Sequence, residues 1–403
     1  MPGYKQTEVG VIPEEWDAGG LGRFWNVTDC KHVTAEFVGD GFPVASIKEV
    51  QSRFIDLTNA KQTTSHFYSL LIEGGRKPCA GDLILSRNAT VGEVAQVAEW
   101  HPPFAMGQDV CLLRKKSPEH STEFLHAVFQ SPVIANQLSN LMVGSTFKRV
   151  NVEQIRNFSV PMPPPPEQRA IAGVLSDVDE LIGALEQLIA KKCDLKQATM
   201  QQLLTGQTRL PGFRGDWEVK RFADVAFPRR DRVDPRSTGV HEFCVELEHI
   251  ESTSGVLLGS TSTGDQSSLK SVFRTGDVLF GKLRAYLRKY WLATCSGVCS
   301  TEIWVFVPND CLITTDYLFQ LVKTDLFIEA ASNAYGTHMP RSDWNVVKNY
   351  ELQLPPLPEQ IVIAEVLSDM DAELAALKQR RDKTRALKQG MMQELLTGRT
   401  RLI

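Results

Sequence analysis

The chain repeats itself at an offset of 192 residues, and this repeat constrains its architecture more than any other feature. The segment beginning at Pro166 (PEQRAIAGVLSDVDELIGALEQLIAKKCDLKQATMQQLLTGQTRL) matches the segment beginning at Pro358 at 26 of 45 positions, without a gap. The match continues upstream to Gly144 and Gly336 and then weakens. Chance does not produce such a match, so the chain consists of two copies of one plan, each with a diverged front part and a closely matched back part.

The back part of each copy has the alternating three- and four-residue apolar spacing of a coiled-coil seam. In the first copy the apolar positions are Ile171, Val174, Val178, Leu181, Leu185, Leu188 and Leu195, and in the second they are Ile363, Leu367, Met370, Leu374 and Leu377. A proline near the start and the glycine of an LLTG motif at the end delimit each helix. We therefore predict two long, antiparallel coiled-coil helices related by a pseudo-two-fold axis. We also predict that five leucines leave apolar ridges for partner proteins: Leu181, Leu185, Leu188, Leu374 and Leu377.

The front part of each copy mixes strand and helix patterns. DLILS, DVCLLR, DVLFG and TEIWVFV are typical of strands, whereas EFLHAVFQSPVIANQLSNLM and DYLFQLVKTDLFIEAAS are typical of helices. The predicted fold class is α+β, with two mixed α/β domains joined by the helices. The predicted segments are a first domain at 1–160, a first helix at 161–210, a second domain at 211–354 and a second helix at 355–403.

Composition excludes several classes of protein. No stretch approaches the ~18 to 20 consecutive apolar residues of a membrane helix, and the first twenty residues lack the apolar core of a signal peptide. Eight cysteines in 403 residues are too sparse for a disulfide framework. We therefore expect a cytoplasmic protein. The formal net charge of −4 also argues against an autonomous, general DNA-binding protein, because such domains are visibly basic.

Motifs for catalysis are missing from the sequence. We find no GxxxxGK[ST], GxGxxG, GxSxG or HExxH pattern, and the eight histidines are dispersed. Cys295 and Cys299 lack the second pair that a structural zinc site requires. These absences predict a non-catalytic binding protein without a metal or cofactor of its own, and they argue against a self-contained nuclease or methylase.

Basic and aromatic residues instead cluster after matching strands of the two domains. Long cations with interleaved aromatic rings suit contacts to phosphates and base edges, and asparagine can pair with adenine. The candidate DNA-binding residues are Arg87, Asn88, Thr90, Lys148, Arg149, Lys282, Arg284, Tyr286, Arg288, Lys289, His338 and Arg341. A different hypothesis is a coiled-coil adaptor whose two domains bind proteins, with these clusters as solvated surface.

The doubled pattern resembles the specificity subunit of type I restriction-modification systems over essentially the whole chain. Each copy has a PP-x-x-EQ entry (Pro163 to Gln168; Pro355 to Gln360), an LSD-x-D helix and an LLTG exit. The stretches GDVLFGKLRAYLRKYW and YGTHMPRSDW are similar to one subtype of that family's recognition domains.

The resemblance implies a non-catalytic reader of double-stranded DNA, in which each domain recognises one half of a bipartite site and the helices fix the spacer. It implies two methyltransferase subunits and motor-nuclease subunits as partners. S-adenosylmethionine, ATP and Mg²⁺ are then expected only on those partners.

Overall fold

The computed structural model describes residues 3–142, 149–264, 266, 268–332 and 340–402. The chain divides into two compact units. Unit 1 comprises residues 1–186 and 379–403, and unit 2 comprises residues 187–378. Each long helix is therefore shared between the units, whereas the sequence predicted helices and domains as separate segments.

Unit 1 contains twelve described strands and, with the first long helix, six described α-helices. The strands are β1 (Tyr4–Thr7), β2 (Gly10–Pro13), β3 (Asp17–Gly20), β4 (Trp25–Asp29), β5 (Phe37–Val38), β6 (Phe42–Ala45), β7 (Lys61–Thr63), β8 (Leu83–Ser86), β9 (Val94–Gln96), β10 (Ala105–Met106), β11 (Val110–Lys115) and β12 (Ser159–Met162). The helices are α1 (Leu21–Phe24), α2 (Ser65–Ile72), α3 (Thr122–Phe129), α4 (Pro132–Met142), α5 (Val152–Arg156) and α6 (Pro165–Leu204).

Unit 2 contains ten described strands and, with the second long helix, six described α-helices. The strands are β13 (Glu218–Arg221), β14 (Ala226–Pro228), β15 (Arg232–Val233), β16 (Cys244–Val245), β17 (Lys270–Phe273), β18 (Val278–Gly281), β19 (Tyr290–Leu292), β20 (Gly297–Ser300), β21 (Ile303–Pro308) and β22 (Glu351–Leu354). The helices are α7 (Phe222–Val225), α8 (Pro235–Thr238), α9 (Thr315–Leu321), α10 (Asp325–Ser332), α11 (Trp344–Val347) and α12 (Leu357–Leu395).

One antiparallel sheet has the same topology in both units. Its strand order is β4-β11-β8-β9 in unit 1 and β14-β21-β18-β19 in unit 2. Both faces of this sheet are buried. Successive side chains of a strand point to opposite sides of the sheet, and here each side meets a different core. Leu83 and Leu85 pack into one core and Ile84 into another, as Phe280 and Leu279 do in unit 2. The predicted strands DLILS, DVCLLR, DVLFG and TEIWVFV all lie in this shared sheet.

The second four-stranded sheet differs between the units. Both versions contain one parallel pair, β6 with β10 and β16 with β20. In unit 1 the remaining strands extend the sheet from β6, in the order β10-β6-β7-β5, whereas in unit 2 they extend it from β20, in the order β15-β17-β20-β16. The divergence of the front parts in sequence therefore corresponds to a change of strand order in this sheet.

Each helix predicted within a front part is broken into two. The first breaks at Ser131–Pro132, where proline cannot donate to the preceding turn and the Ser131 hydroxyl accepts a hydrogen bond from Val133 N–H. The second breaks at Thr324, whose hydroxyl accepts from Phe327 N–H. Local capping thus ends a helix that the apolar pattern alone would continue.

The long helices pack antiparallel within each unit, as predicted. In unit 1 Lys388 of α12 pairs with Asp179 of α6 at 2.7 Å, and Arg385 pairs with Glu186 at 2.5 Å. In unit 2 Lys192 pairs with Glu373 at 2.8 Å, and Lys196 pairs with Asp371. The second aspartate of each LSD-x-D motif therefore binds a lysine of the other helix at repeat-equivalent positions.

The glycine after each long helix ends it as the LLTG motif predicted. Gly206 and Gly398 have φ angles of +72° and +67°, in the left-handed region that glycine adopts without steric cost. Among the described residues, no helix combines the length and apolar character needed to cross a membrane.

Candidate nucleic-acid interface

Two segments meet beside the end of the central strand β8 in unit 1, and their counterparts meet beside β18 in unit 2. The segment after β8 bridges to the other at Asn88 and Arg149, and the segment after β18 bridges at Leu283 and Arg341. The clusters that the sequence singled out are therefore brought together in each unit.

The backbone hydrogen bonds around these segments are the same in both units. Arg87 N–H donates to Asp109 C=O at 2.8 Å, and Arg87 C=O accepts from Val150 N–H at 3.0 Å. Lys282 makes the same pair of bonds, with Glu302 C=O at 2.9 Å and Ser342 N–H at 2.8 Å. Arg87 and Lys282 are therefore equivalent positions on one scaffold.

An exposed arginine is held by a carboxylate at the same place in each unit. Arg149 lies 3.3 Å from Asp109, and Arg341 lies 2.9 Å from Glu302. Both arginine side chains remain more than half exposed, at 51% and 57%. The hydrogen bond to Glu302 raises the pKa of Arg341 further above neutral. A guanidinium fixed on one side and open on the other can donate to a phosphate or a base edge.

Each segment also contains a residue in the left-handed region at an equivalent position. Ala89 has φ +57° and Arg284 has φ +54°. Such angles cost energy for residues other than glycine, and they cluster at functional sites. Arg284 is half-buried, and Tyr286, two residues on, is 54% exposed.

Three of the predicted DNA-binding residues are engaged within the protein. Arg87 is 3% exposed and lies 2.5 Å from Asp29. Lys289 donates to the carbonyls of Leu247 at 2.6 Å and Ile250 at 2.9 Å. Arg288 pairs with Asp325 and donates to Lys323 C=O at 3.5 Å. These contacts give all three residues structural roles in the free protein, and DNA contact by them stays a prediction.

The remaining predicted residues are accessible or undescribed. Thr90 is exposed, and its hydroxyl lies 3.3 Å from that of Ser86. Asn88 is half-buried, and its side-chain oxygen accepts from Ala89 N–H at 2.9 Å. Lys148 and His338 lie outside the described residues. DNA contact by any of these side chains stays a prediction.

Two basic segments of unit 2 line one groove. This groove has a volume of about 1040 Å³, and its lining includes Arg230, Arg232, Lys282, Trp304 and Trp344. The segment RRDRVDPR (229–236) is basic in sequence, but its alternating charges do not separate paired from unpaired arginines, so the groove itself was not predicted. In the structure Arg229 and Arg236 pair with aspartates, at 2.7 Å in each case.

One group of potential metal ligands occurs among the described residues, at Asp29, Cys30 and His32. Burial, and then the neighbouring Asp29, raise the pKa of the Cys30 thiol, which disfavours the thiolate that a metal needs. The Arg87 guanidinium already neutralises Asp29. These three residues are therefore poorly suited to hold a cation.

The five leucines predicted to face partners differ in exposure. Leu181 and Leu188 are each 41% exposed, whereas Leu185 and Leu374 are buried and Leu377 is half-buried. Burial removes Leu185 and Leu374 from any accessible ridge, so the prediction is wrong for these two residues.

Comparison with known proteins identifies the family. The model of the type I restriction modification DNA specificity domain matches residues 13–192 and 264–384, which is more than half of the chain. The chain belongs to the family of type I restriction-modification specificity subunits. As a specificity subunit it recognises DNA sequence, so the adaptor hypothesis is not favoured.

Curated relatives and solved structures agree with this assignment. The chain is 26% identical to the type I restriction enzyme EcoDI specificity subunit of Escherichia coli, over 68% of each chain. It is 24% identical to the putative type I restriction enzyme MjaX specificity subunit of Methanocaldococcus jannaschii, over 99% of this chain and 97% of the relative.

The structural neighbours support the fold. A chain solved in a study of complex assembly and conformational transition of the type I R-M system has a TM-score of 0.58, at 18% identity, over 96% of this chain and 99% of that one. The type I restriction-modification S subunit from M. genitalium has a TM-score of 0.57, at 12% identity, over 94% and 96%. The predicted fold of two mixed α/β domains with long helices is confirmed.

Proposed function

We propose that this specificity subunit reads a bipartite double-stranded target, with one α/β domain on each half-site. The observation that carries the proposal is the repeated scaffold of Arg149 with Asp109 and Arg341 with Glu302. The same backbone frame presents an exposed arginine twice, while neighbouring positions differ: Ala89 in one unit corresponds to Arg284 in the other. A common frame with different side chains suits two readers of different sequences.

The helices of the subunit are proposed to dock two methyltransferase subunits, which in turn assemble with motor-nuclease subunits. Leu181 and Leu188 support this role, because large apolar side chains that remain exposed on long helices suit helix-in-groove contacts. The subunit itself is proposed to be non-catalytic and to bind no cofactor. S-adenosylmethionine, ATP and Mg²⁺ would be held by the partners, and the complex would act in the cytoplasm.

Two matched substitutions test the half-site assignment. The subunit, reconstituted with its methyltransferase partners, is used to methylate genomic DNA, and the modified sites are mapped by long-read sequencing. Arg341→Ala is expected to relax or abolish recognition of one half-site and Arg149→Ala of the other. Each lost bidentate contact would cost ~1 to 3 kcal/mol.

The control is Arg156→Ala, which removes an arginine that is 48% exposed and paired with Glu153 on the short helix α5. It should leave both half-sites intact. Equal loss at both half-sites from Arg341→Ala would contradict the assignment. Absence of salt-sensitive DNA retention by the wild-type complex would contradict DNA reading altogether.

A further inference from the structure

The basic groove of unit 2 has an equivalent place in unit 1, where the corresponding side chains form an ion pair. Arg87 and Lys282 are equivalent through their identical backbone hydrogen bonds. Strand register gives a second equivalence. Cys111 lies opposite Leu85 and Trp304 opposite Phe280, two residues before Arg87 and Lys282 respectively. Asp29 lies opposite Cys111, and the pairing of β14 with β21 continues through the hydrogen bond from Arg229 N–H to Val305 C=O, so Arg230 is the next residue toward Trp304. The pair Asp29 and Arg87 in unit 1 therefore corresponds to the pair Arg230 and Lys282 in unit 2.

The two pairs have opposite electrostatic character. In unit 1 the carboxylate of Asp29 lies 2.5 Å from the guanidinium of Arg87, and this charge pair needs no external ion. In unit 2 both members are cations that line the same groove, and Arg232 adds a third. Like charges placed together repel unless an anion lies between them.

The carboxylates around this groove are engaged by other arginines. Asp277 accepts two hydrogen bonds from Arg229, at 2.9 and 2.7 Å. Glu302 binds Arg341. Asp231, which also lines the groove, lies 3.7 Å from Arg229 and 3.8 Å from Arg274. Within the described ranges, no ion pair involves Arg230, Arg232 or Lys282. The groove thus combines uncompensated positive charge with the indole rings of Trp304 and Trp344, which lie 6.0 Å apart.

We propose that Arg230, Arg232 and Lys282 form a phosphate clamp for the DNA backbone, present in the second domain and absent from the first. The inference rests on the proposed function and adds that the two domains hold DNA unequally. Three cations along a groove of about 1040 Å³ suit successive phosphates of a strand better than one small anion. Phosphate contacts fix position and carry no base sequence, so the clamp strengthens binding without choosing the target.

The test measures the salt dependence of DNA binding by the complete complex of the subunit with its methyltransferase partners. Each phosphate neutralised contributes a slope of about −0.9 in log K against log salt. Substitution of alanine for Arg230, Arg232 and Lys282 together is expected to make this slope shallower by about 2 to 3. Arg230→Asp should weaken binding as well, because it places a carboxylate where unit 1 has Asp29.

Arg236→Ala is the matched control. Arg236 lies in the same segment and is 66% exposed, but it already pairs with Asp234 at 2.7 Å. Its removal should leave the slope unchanged. The sequences methylated by the triple variant should also be unchanged, because only backbone contacts are lost.

Several results would overturn the clamp. An unchanged slope, while the wild-type complex binds its target specifically, would refute the clamp and leave the proposed function standing. Altered target sequence with an unchanged slope would show base reading instead. If the triple variant lost binding of inorganic phosphate but kept the wild-type salt slope of DNA binding, the groove would be a small-anion site only. No salt-sensitive DNA binding by the wild-type complex would refute both proposals.

Discussion

In both units a junction of three side chains joins the start of one long helix to the segment that follows the other. Its arginine and tryptophan lie close together in sequence in unit 2 and far apart in unit 1. In unit 2 the buried carboxylate of Glu359 accepts from Arg209, at 2.6 Å on both oxygens, and from the Trp217 indole N–H at 3.1 Å. In unit 1 Glu167 accepts from Arg401, at 2.5 and 2.7 Å, and from Trp16 at 2.8 Å. Arg209 and Trp217 belong to one short linker, whereas Arg401 and Trp16 are hundreds of residues apart.

Side-chain contacts, more than chain connectivity, therefore define this junction. A bidentate guanidinium and an indole N–H satisfy the carboxylate equally in both units, and each guanidinium also lies over its indole ring. The glutamate of each PEQ motif is a carboxylate near the helix N-terminus, where it complements the positive end of the helix. It lies in the first turn, and it also binds the segment that follows the other long helix.

The largest effect that we predict comes from removing these carboxylates. Glu167→Ala and Glu359→Ala should each destabilise the protein by about 3 kcal/mol, because a buried arginine contact and an indole N–H lose their acceptor. The cost should be greater for Glu167→Ala, since no short linker keeps Arg401 near Trp16. Urea unfolding measures the cost, and hydrogen–deuterium exchange locates it at residues 396–402 and 13–18 in one variant and at 205–217 in the other.

Glu15→Ala is the control for unit 1, because Glu15 also pairs with Arg401, at 2.6 Å, but is 57% exposed. It should change stability little. If Glu167→Ala were no more costly than Glu15→Ala, the view that the buried contact defines the junction would be wrong.

The shared features of the two units were predictable from sequence, and their differences were not. Apolar periodicity follows from the geometry of helices and strands, so the long helices and the shared sheet could be predicted. The second sheet could not, because strands as short as Phe37–Val38 and Arg232–Val233 carry no periodic signal and their pairing depends on tertiary packing.

The candidate site, like the fold, could be predicted from the sequence only in part. The repeat placed Arg149 and Arg341 at equivalent positions because loops keep their place on a shared scaffold. Buried Arg87 pairs with Asp29, which lies 58 residues earlier in the sequence, at the end of β4. Whether a cation is paired is a tertiary property, so sequence could name the basic clusters but could not separate Arg87 from Lys282.

A second prediction concerns His126 in unit 1. Its counterpart in unit 2 is Phe319, because each residue lies five positions after the N-cap of its helix, Ser121 and Thr314 respectively. Burial, and then the nearby cations Arg53 and Lys388, lower the pKa of His126 to about 4. Between pH 6.5 and 4 the unfolded chain binds a proton that the folded chain does not, so stability falls as the pH falls. From pH 7 to pH 5 this site should cost about 2 kcal/mol. His126→Phe should remove that part of the loss in urea unfolding.

The control is His66→Phe, because His66 is exposed. It should retain the wild-type loss between pH 7 and 5. An identical pH dependence for wild type and His126→Phe would mean that this difference between the units has no effect on stability.

The smallest predicted effect concerns Lys323 in unit 2. Its counterpart in unit 1 is Gln130, because each residue lies nine positions after the N-cap of the preceding helix. Lys323 is 3% exposed; it lies 3.0 Å from Asp371 and its ammonium lies 3.8 Å from the centre of the Phe319 ring. Burial, opposed by the charge of Asp371, lowers its pKa to about 8. Between pH 8 and 10.5 the unfolded chain is protonated more than the folded one, so stability rises with pH.

Lys323→Gln, which introduces the residue of unit 1, should abolish a gain of about 1 kcal/mol between pH 7 and 9 in urea unfolding. Asp371 would keep its other partner, Lys196, so the fold should tolerate the change. Lys192→Gln is the control, because Lys192 pairs with Glu373 at a site that solvent reaches, and it should preserve the wild-type gain. If Lys323→Gln also preserved the gain, Lys323 would be charged to the same extent in the folded and unfolded chains, and its burial would not distinguish unit 2 from unit 1 in this respect.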